Sequence, residues 1–396
     1  MNLLFNEICG KYTIPQETKA AGIYPYYKPI SSGQDPVVKM ADGSEVLMFG
    51  SNSYLGLSDD PRLKEAAIEA IRKYGTSCSG SRFLNGTLDI HENLEHRLAE
   101  FVGKESAVTF STGFQVNLGV VSALGFRGGY ILLDETDHAC IIDGSRLSWS
   151  TVYKFKHNDM SSLEQKLSVC EIDAPKLIVV DGVYSMLGDL CPLPKICELA
   201  EQYNAAVMID DAHGLGVFGK NGAGTANHFG LTDKVDLIMG TFSKSFGSLG
   251  GFIAGNEVII NYLKHNARSL IFSASMTPAA VAAASKALDI MQTEPQRIEH
   301  LWDITRYAWK RFRENGFDIN ATQSPIIPLM VRDTKKAMAI VTLAYNEGLF
   351  VTPVIAPAVP ERDVLIRFAL MATHTKEQID VAVEKLTAIF KQQGVI

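Results

Sequence analysis

No apolar run in this 396-residue chain approaches the roughly 20 residues needed to cross a bilayer. The first residues also lack a signal-peptide pattern. A cytoplasmic protein is expected, with peripheral contact at the inner membrane left open. There is no basic block and no basic–aromatic stripe, and 44 acidic residues outnumber 37 basic ones. Nucleic acid is therefore excluded as the main partner. The six cysteines (Cys9, Cys78, Cys140, Cys170, Cys191 and Cys197) form no CxxC pair and no ligand cluster. They read as reduced, mostly buried thiols, and no metal site is expected. The chain also has no internal repeat and no low-complexity segment.

What is present is a regular alternation. From about residue 107, short continuous apolar runs (107–110, 130–133, 152–155, 177–180, 206–209) are separated by stretches with helical spacing. Such a rhythm predicts an α/β fold: a mostly parallel sheet covered on both faces, with ligands outside the carboxyl ends of its strands. Helical spacing over 278–291 and 298–315 leads out of this region. Strands at 326–330 and 365–370, with a last helix after them, predict a smaller α+β domain. The expected division is an N-terminal arm over 1–45, a large domain over 46–285 and a C-terminal domain over 286–396.

The stretch Gly240-Thr241-Phe242-Ser243-Lys244-Ser245-Phe246-Gly247 organises the rest. Lysine is costly to bury as a cation, so one between two apolar runs sits at a rim or does chemistry. A lone lysine in such a turn is ordinarily solvated. Here hydroxyls and glycines around it suit a phosphate, and Lys244 is a candidate Schiff-base residue for pyridoxal phosphate. Asp210 ends an earlier apolar run, 34 residues before the lysine, where a carboxylate could face a protonated pyridine nitrogen. An ion pair or helix cap is the ordinary alternative.

His213 follows three residues on and could orient that carboxylate or meet a ring hydroxyl. Ser111-Thr112-Gly113-Phe114 opens a helix after a strand, which suits a phosphate but equally an ordinary cap. His138 and Ser185 follow two further strands and could reach the same crevice. Arg367, inside an apolar strand, needs an anion: a substrate carboxylate, or a structural salt bridge. His374 reads as part of the last helix's cap. The run 214–219 matches GxGxxG, and with Lys220 nearly a phosphate loop. No helix is expected to open after those glycines, so both signals are discounted.

Together these residues closely resemble the α-oxoamine synthase family of pyridoxal-phosphate enzymes, of fold type I (aspartate aminotransferase-like). The resemblance runs from about Phe49 to the last helix. It implies that Lys244 forms the Schiff base, Asp210 faces the pyridine nitrogen and His138 stacks on the ring. It implies that His213 and Ser185 contact the ring hydroxyl, and that Gly113, Phe114, Thr241 and Ser243 hold the phosphate. Ser273 of a neighbouring subunit would complete that site, in a homodimer with a shared active site. Asn52, His138 and Arg367 would lie on the amino-acid side.

The stretch 80–91, Ser243 and Ser245 around the lysine, Ser111 to Phe114 and the run 264–278 resemble one branch. That branch condenses L-serine with a long-chain acyl-CoA, palmitoyl-CoA, to 3-oxosphinganine, CoA and CO2, the first step of sphingolipid synthesis. Alternatives are glycine with acetyl-CoA, alanine with pimeloyl thioester, or a non-catalytic partner subunit. Acyl-chain length has no readable motif.

Overall fold

The structure, a computed structural model, describes residues 2–396; Met1, first residue of the expected arm, lies outside them. A seven-stranded sheet forms its centre. Its strands lie in the order Ser106–Phe110, Gly251–Gly255, Leu237–Thr241, Ala206–Asp210, Lys176–Asp181, Tyr130–Asp134, Thr151–Phe155. Within it only Gly251–Gly255 runs against its neighbours, pairing antiparallel with the strands on both sides. The expected mostly parallel sheet is thus found.

Strand side chains alternate between faces. Leu177 and Val179 join one apolar cluster, while Ile178 and Val180 join another. Both faces are therefore covered, which is why these runs are continuously apolar rather than alternating. Each fully buried Leu, Ile or Val contributes about 1.5–3 kcal/mol to holding the layers together.

The helix Pro278–Thr293 stays with this region, and Pro295–Glu314 leaves it. Glu294 between them has φ −123° and ψ 61°, because the proline after it excludes the helical region. The second helix thus starts at Pro295, three residues before the start expected at 298. A second sheet combines Ile326–Met330, Leu365–Ala369 and Thr352–Val354, all antiparallel. The last helix, Lys376–Gln392, packs beside it through Ile379, Val383, Leu386 and Phe390.

The strands Val37–Lys39 and Glu45–Met48 pair as a hairpin, so a boundary at 45/46 cuts through it. Glu45–Met48 then pairs in parallel with Leu349–Phe350. Phe49 N donates to Phe350 O, and Ala372 N donates to Tyr54 O. Residues 46–54, expected at the start of the large domain, are thereby tied to the C-terminal unit. His374 strengthens that tie rather than capping the last helix. It is fully buried, accepts from Met371 N, bonds Met48 O and stacks on Phe49 at 4.5 Å. Thr375 makes the cap instead.

The arm forms two short helices, Leu3–Ile8 and Ile14–Ala20. No helix among the described residues is long and apolar enough to cross a membrane. The six cysteines are free, with Cys9 exposed and Cys78 and Cys170 only partly covered.

Candidate active site

Five loops leaving the carboxyl ends of parallel strands converge on one cavity of about 260 Å³. The strand Leu237–Thr241 delivers Thr241, Ser243 and Lys244 to it. The chain must then reverse into Gly251–Gly255 within nine residues. Gly250 makes this possible: its φ is +129°, and a Cβ there would meet Met276 and Phe242 within 3 Å. The strand Ala206–Asp210 ends in Asp210, with His213 one turn further on. His138 caps the helix Ala139–Arg146 after the strand Tyr130–Asp134. Ser185 follows Lys176–Asp181, and Gly113 and Phe114 open the helix after Ser106–Phe110. Every cofactor-side residue expected from the sequence lines this cavity except Ser273.

Ser273 lies outside the lining, where its hydroxyl accepts from Gln115 Nε2 at 3.1 Å. Arg367 is also outside it but bonds Ser185 on its wall, and Asn52 lies one contact further out. Arg367 Nε donates to Ser185 O at 2.8 Å, and its Nη2 donates to Tyr54 Oη at 3.2 Å. Both acceptors are neutral, so the salt-bridge alternative for Arg367 is not realised among the described residues. Tyr54 Oη in turn lies 3.4 Å from Asn52 Oδ1.

The electrostatics explain why these groups are poised. Burial pushes the Lys244 amine down to about 8; Asp210 and Asp181 pull it up and Arg367 pushes it further down. His138 is held below the usual imidazole range by burial, with Asp210 opposing and Lys244 assisting. His213 lies well below it, again from burial first and then from Lys244, Arg367 and His138. Asp181 and Asp210 are register partners on adjacent strands. Burial, with Asp210 beside it, drives the Asp181 carboxyl well above its ordinary range.

Three contributors were not found by sequence reasoning. Asn117 is fully buried on the apolar face of its helix and donates to Asp210 Oδ2 at 2.5 Å. A lone Asn among Val116, Val120 and Val121 was the available signal. Asp181 lines the cavity and accepts from the His138 backbone N at 3.2 Å. Tyr54 is fully buried, with its hydroxyl 2.6 Å from His213 Nδ1. Asp181 stands at a strand end, where its position was the available signal, whereas Tyr54 does not stand out in sequence because its partner lies 159 positions along the chain.

The glycine-rich run 214–219 has a structural explanation. Asp211 is fully buried and accepts from Thr225 N and Oγ1, and a Cβ at Gly224 would collide with its carboxylate. The glycines let the chain fold over that carboxyl, which burial raises to about 7 against the Thr225 hydrogen bonds. Contrary to expectation, helical turns do follow, at Lys220–Gly222 and Thr225–His228. Neither is long enough to seat a dinucleotide.

Comparison with known proteins agrees with this geometry. The pattern of the family described as aminotransferase class I and II matches residues 44–386. A serine palmitoyltransferase of Sphingobacterium spiritivorum is 59% identical over 387 residues, covering 98% of this chain and 97% of its own. That of Bacteroides thetaiotaomicron is 60% identical over 388 residues, with 98% of each chain covered. A solved serine palmitoyltransferase from S. paucimobilis, with a bound PLP–myriocin aldimine, superposes at TM-score 0.96. It covers 100% of both chains at 32% identity.

Proposed function

The chain belongs to the aminotransferase class I and II family, and from that premise we propose that it joins L-serine to palmitoyl-CoA, releasing CoA and CO2 and leaving 3-oxosphinganine. This is the activity named for the relatives that match it at 59% and 60% identity over nearly its whole length. The protein is an acyltransferase that works with pyridoxal phosphate.

The residues present fit that cofactor on their own chemistry. A half-buried lysine whose amine pKa falls to about 8 is roughly a fifth neutral near pH 7.4, far more than a free lysine, and can condense with an aldehyde. A Cβ at Gly113 would meet Thr241 Oγ1 at 2.7 Å, so only a glycine leaves the helix start open against the Thr241 and Ser243 hydroxyls. Free backbone amides beside hydroxyls suit a phosphate. When bound, the group supplies an electron sink for the charge left at the amino acid's Cα.

The chain's residues divide the remaining work. Lys244 takes the proton from Cα and later returns one there. Asp210 holds a proton at the ring nitrogen, and Asn117 and the Ala212 amide fix its carboxylate in place. His138 would stack on the ring, while His213 and Ser185 would meet the ring hydroxyl. Gly113, Phe114, Thr241 and Ser243 would hold the phosphate, with Ser273 of a neighbouring subunit completing the site in a homodimer. Asn52, His138 and Arg367 hold the serine carboxylate so that the bond to be broken is correctly placed. Residues from about 55 to the end of helix Pro278–Thr293 carry the cofactor, flanked by the N-terminal arm and by a smaller C-terminal unit to which residues 46–54 are tied. The protein works in the cytoplasm, with any contact at the inner membrane peripheral.

Lys244 carries this reading, as an amine opposite Asp210 with no hydrogen bond among the described residues. The test is CoA release with serine, glycine or alanine against short and long acyl-CoAs. Release is expected for serine with long chains; release with glycine or alanine and none with serine overturns the assignment.

A further inference from the structure

The hydroxyl of Tyr54 touches three groups expected at the site: Asn52, His213 and Arg367. A phenol has one proton to give, and a guanidinium can only donate. Arg367 Nη2 therefore occupies a lone pair of Tyr54 Oη, leaving its proton for Asn52 Oδ1 or His213 Nδ1. The Asn52 distance, 3.4 Å, is beyond the O–H donor range of about 2.5–3.0 Å. The His213 distance, 2.6 Å, lies inside that range and is shorter than the N–H donor range of about 2.7–3.2 Å. With Arg367 already on one lone pair of Oη and the Asn52 contact long, the network assigns the proton to Tyr54, donated to Nδ1.

A neutral imidazole has one donor and one acceptor nitrogen. With Nδ1 accepting, the hydrogen of His213 is on Nε2. That nitrogen has no hydrogen bond among the described residues, and His213 lines the cavity. We propose that Tyr54, oriented by Arg367, is a positioning residue that fixes His213 as its Nε2–H tautomer. This wall of the cavity therefore offers a hydrogen-bond donor rather than a lone pair.

The surrounding groups keep the choice one of tautomer. Burial, then Lys244, Arg367 and His138, hold His213 well below its usual range, so it stays neutral near pH 7. Burial raises the Tyr54 phenol, with Arg367 only partly opposing, so it keeps its proton. Asp210 and Asp181 pull Lys244 up but are not among the groups that shift His213. The consequence for catalysis rests on the function proposed above: the donor would stabilise the cofactor's ring oxygen in its ionised form.

Neutron diffraction from deuterium-exchanged crystals of the holoenzyme reads the protons directly. Deuterium is expected on Tyr54 Oη directed at Nδ1, and on His213 Nε2; deuterium on Nδ1 overturns the proposal. A companion measurement titrates the visible band of the Tyr54→Phe holoenzyme. Loss of the fixed donor disfavours the ionised ring oxygen, so the midpoint should rise by about one pH unit. An unchanged midpoint overturns the positioning role. A protein that takes up no pyridoxal phosphate would instead overturn the proposed function, and cofactor-free crystals would still decide the tautomer.

Discussion

Arg82 and Lys244 face the same physical problem, a cationic side chain withdrawn from water, and the protein treats them in opposite ways. The Arg82 side chain is 9% exposed and forks onto Glu95, itself 6% exposed. It also donates to Thr109 Oγ1 at 2.8 Å and Thr87 Oγ1 at 3.1 Å, while Glu95 accepts from Thr109 N at 2.7 Å. Every charge in that cluster is answered within the chain. Lys244 is answered by no hydrogen bond among the described residues, and its pKa falls to about 8. Compensation leaves Arg82 a fixed cation that holds a loop to the sheet. Its absence makes Lys244 a reactive amine.

The sharpest break of this contrast is Lys244→Ala. CoA release should fall by ~10³-fold or more and the visible band should vanish, while the thermal midpoint stays close to the parent's. Retention of the band would place the reactive amine elsewhere. Next comes Glu95→Ala, which strands Arg82. It should destabilise the fold by about 3–5 kcal/mol, read as a shift in denaturant midpoint. A shift near zero would show that Arg82 needs no buried partner.

His157 extends the compensated side. Burial opposes its charge, but hydrogen bonds to Asp134 and Asp189 raise it to about 10. A raised pKa means that its stabilisation is full below the ordinary histidine value and is lost as pH rises through about 10. Thermal scans across that window should lose on the order of 2 kcal/mol, and His157→Gln should flatten the slope. A slope unchanged in that variant would assign it to other groups. The mildest test is acetic-anhydride labelling of cofactor-free protein. Lys244 should become reactive as pH passes about 8, earlier than exposed lysines; a midpoint no lower than theirs would erase the distinction.

Much of this was legible in advance because it is local. The runs at 177–180 and 206–209 declare buried strands by being continuously apolar, and the polar residue ending each is a candidate for the crevice. Lys244, Asp210, His138 and Ser185 were found that way. Asn117 and Tyr54 were not, and Asp181, which ends the first of those runs, was passed over for Ser185. Asn117 meets Asp210 across 93 positions, and Tyr54 meets His213 across 159. The pairing of residues 46–54 with the C-terminal unit was hidden likewise, since Leu47 bonds Gly348 across the whole large domain.

Sequence by itself determined the principal strands and helices of the large domain, and which side chains stand at the strand ends. Periodicity and turn chemistry are properties of neighbouring residues. Tertiary structure alone decided the protonation of those side chains: a lysine with its amine near 8, an Asp181 pushed upward by burial and then by Asp210, a His213 whose hydrogen is set by Tyr54. Charge and hydrogen position depend on burial and on the nearest groups in space, and the fold draws those groups from distant parts of the chain.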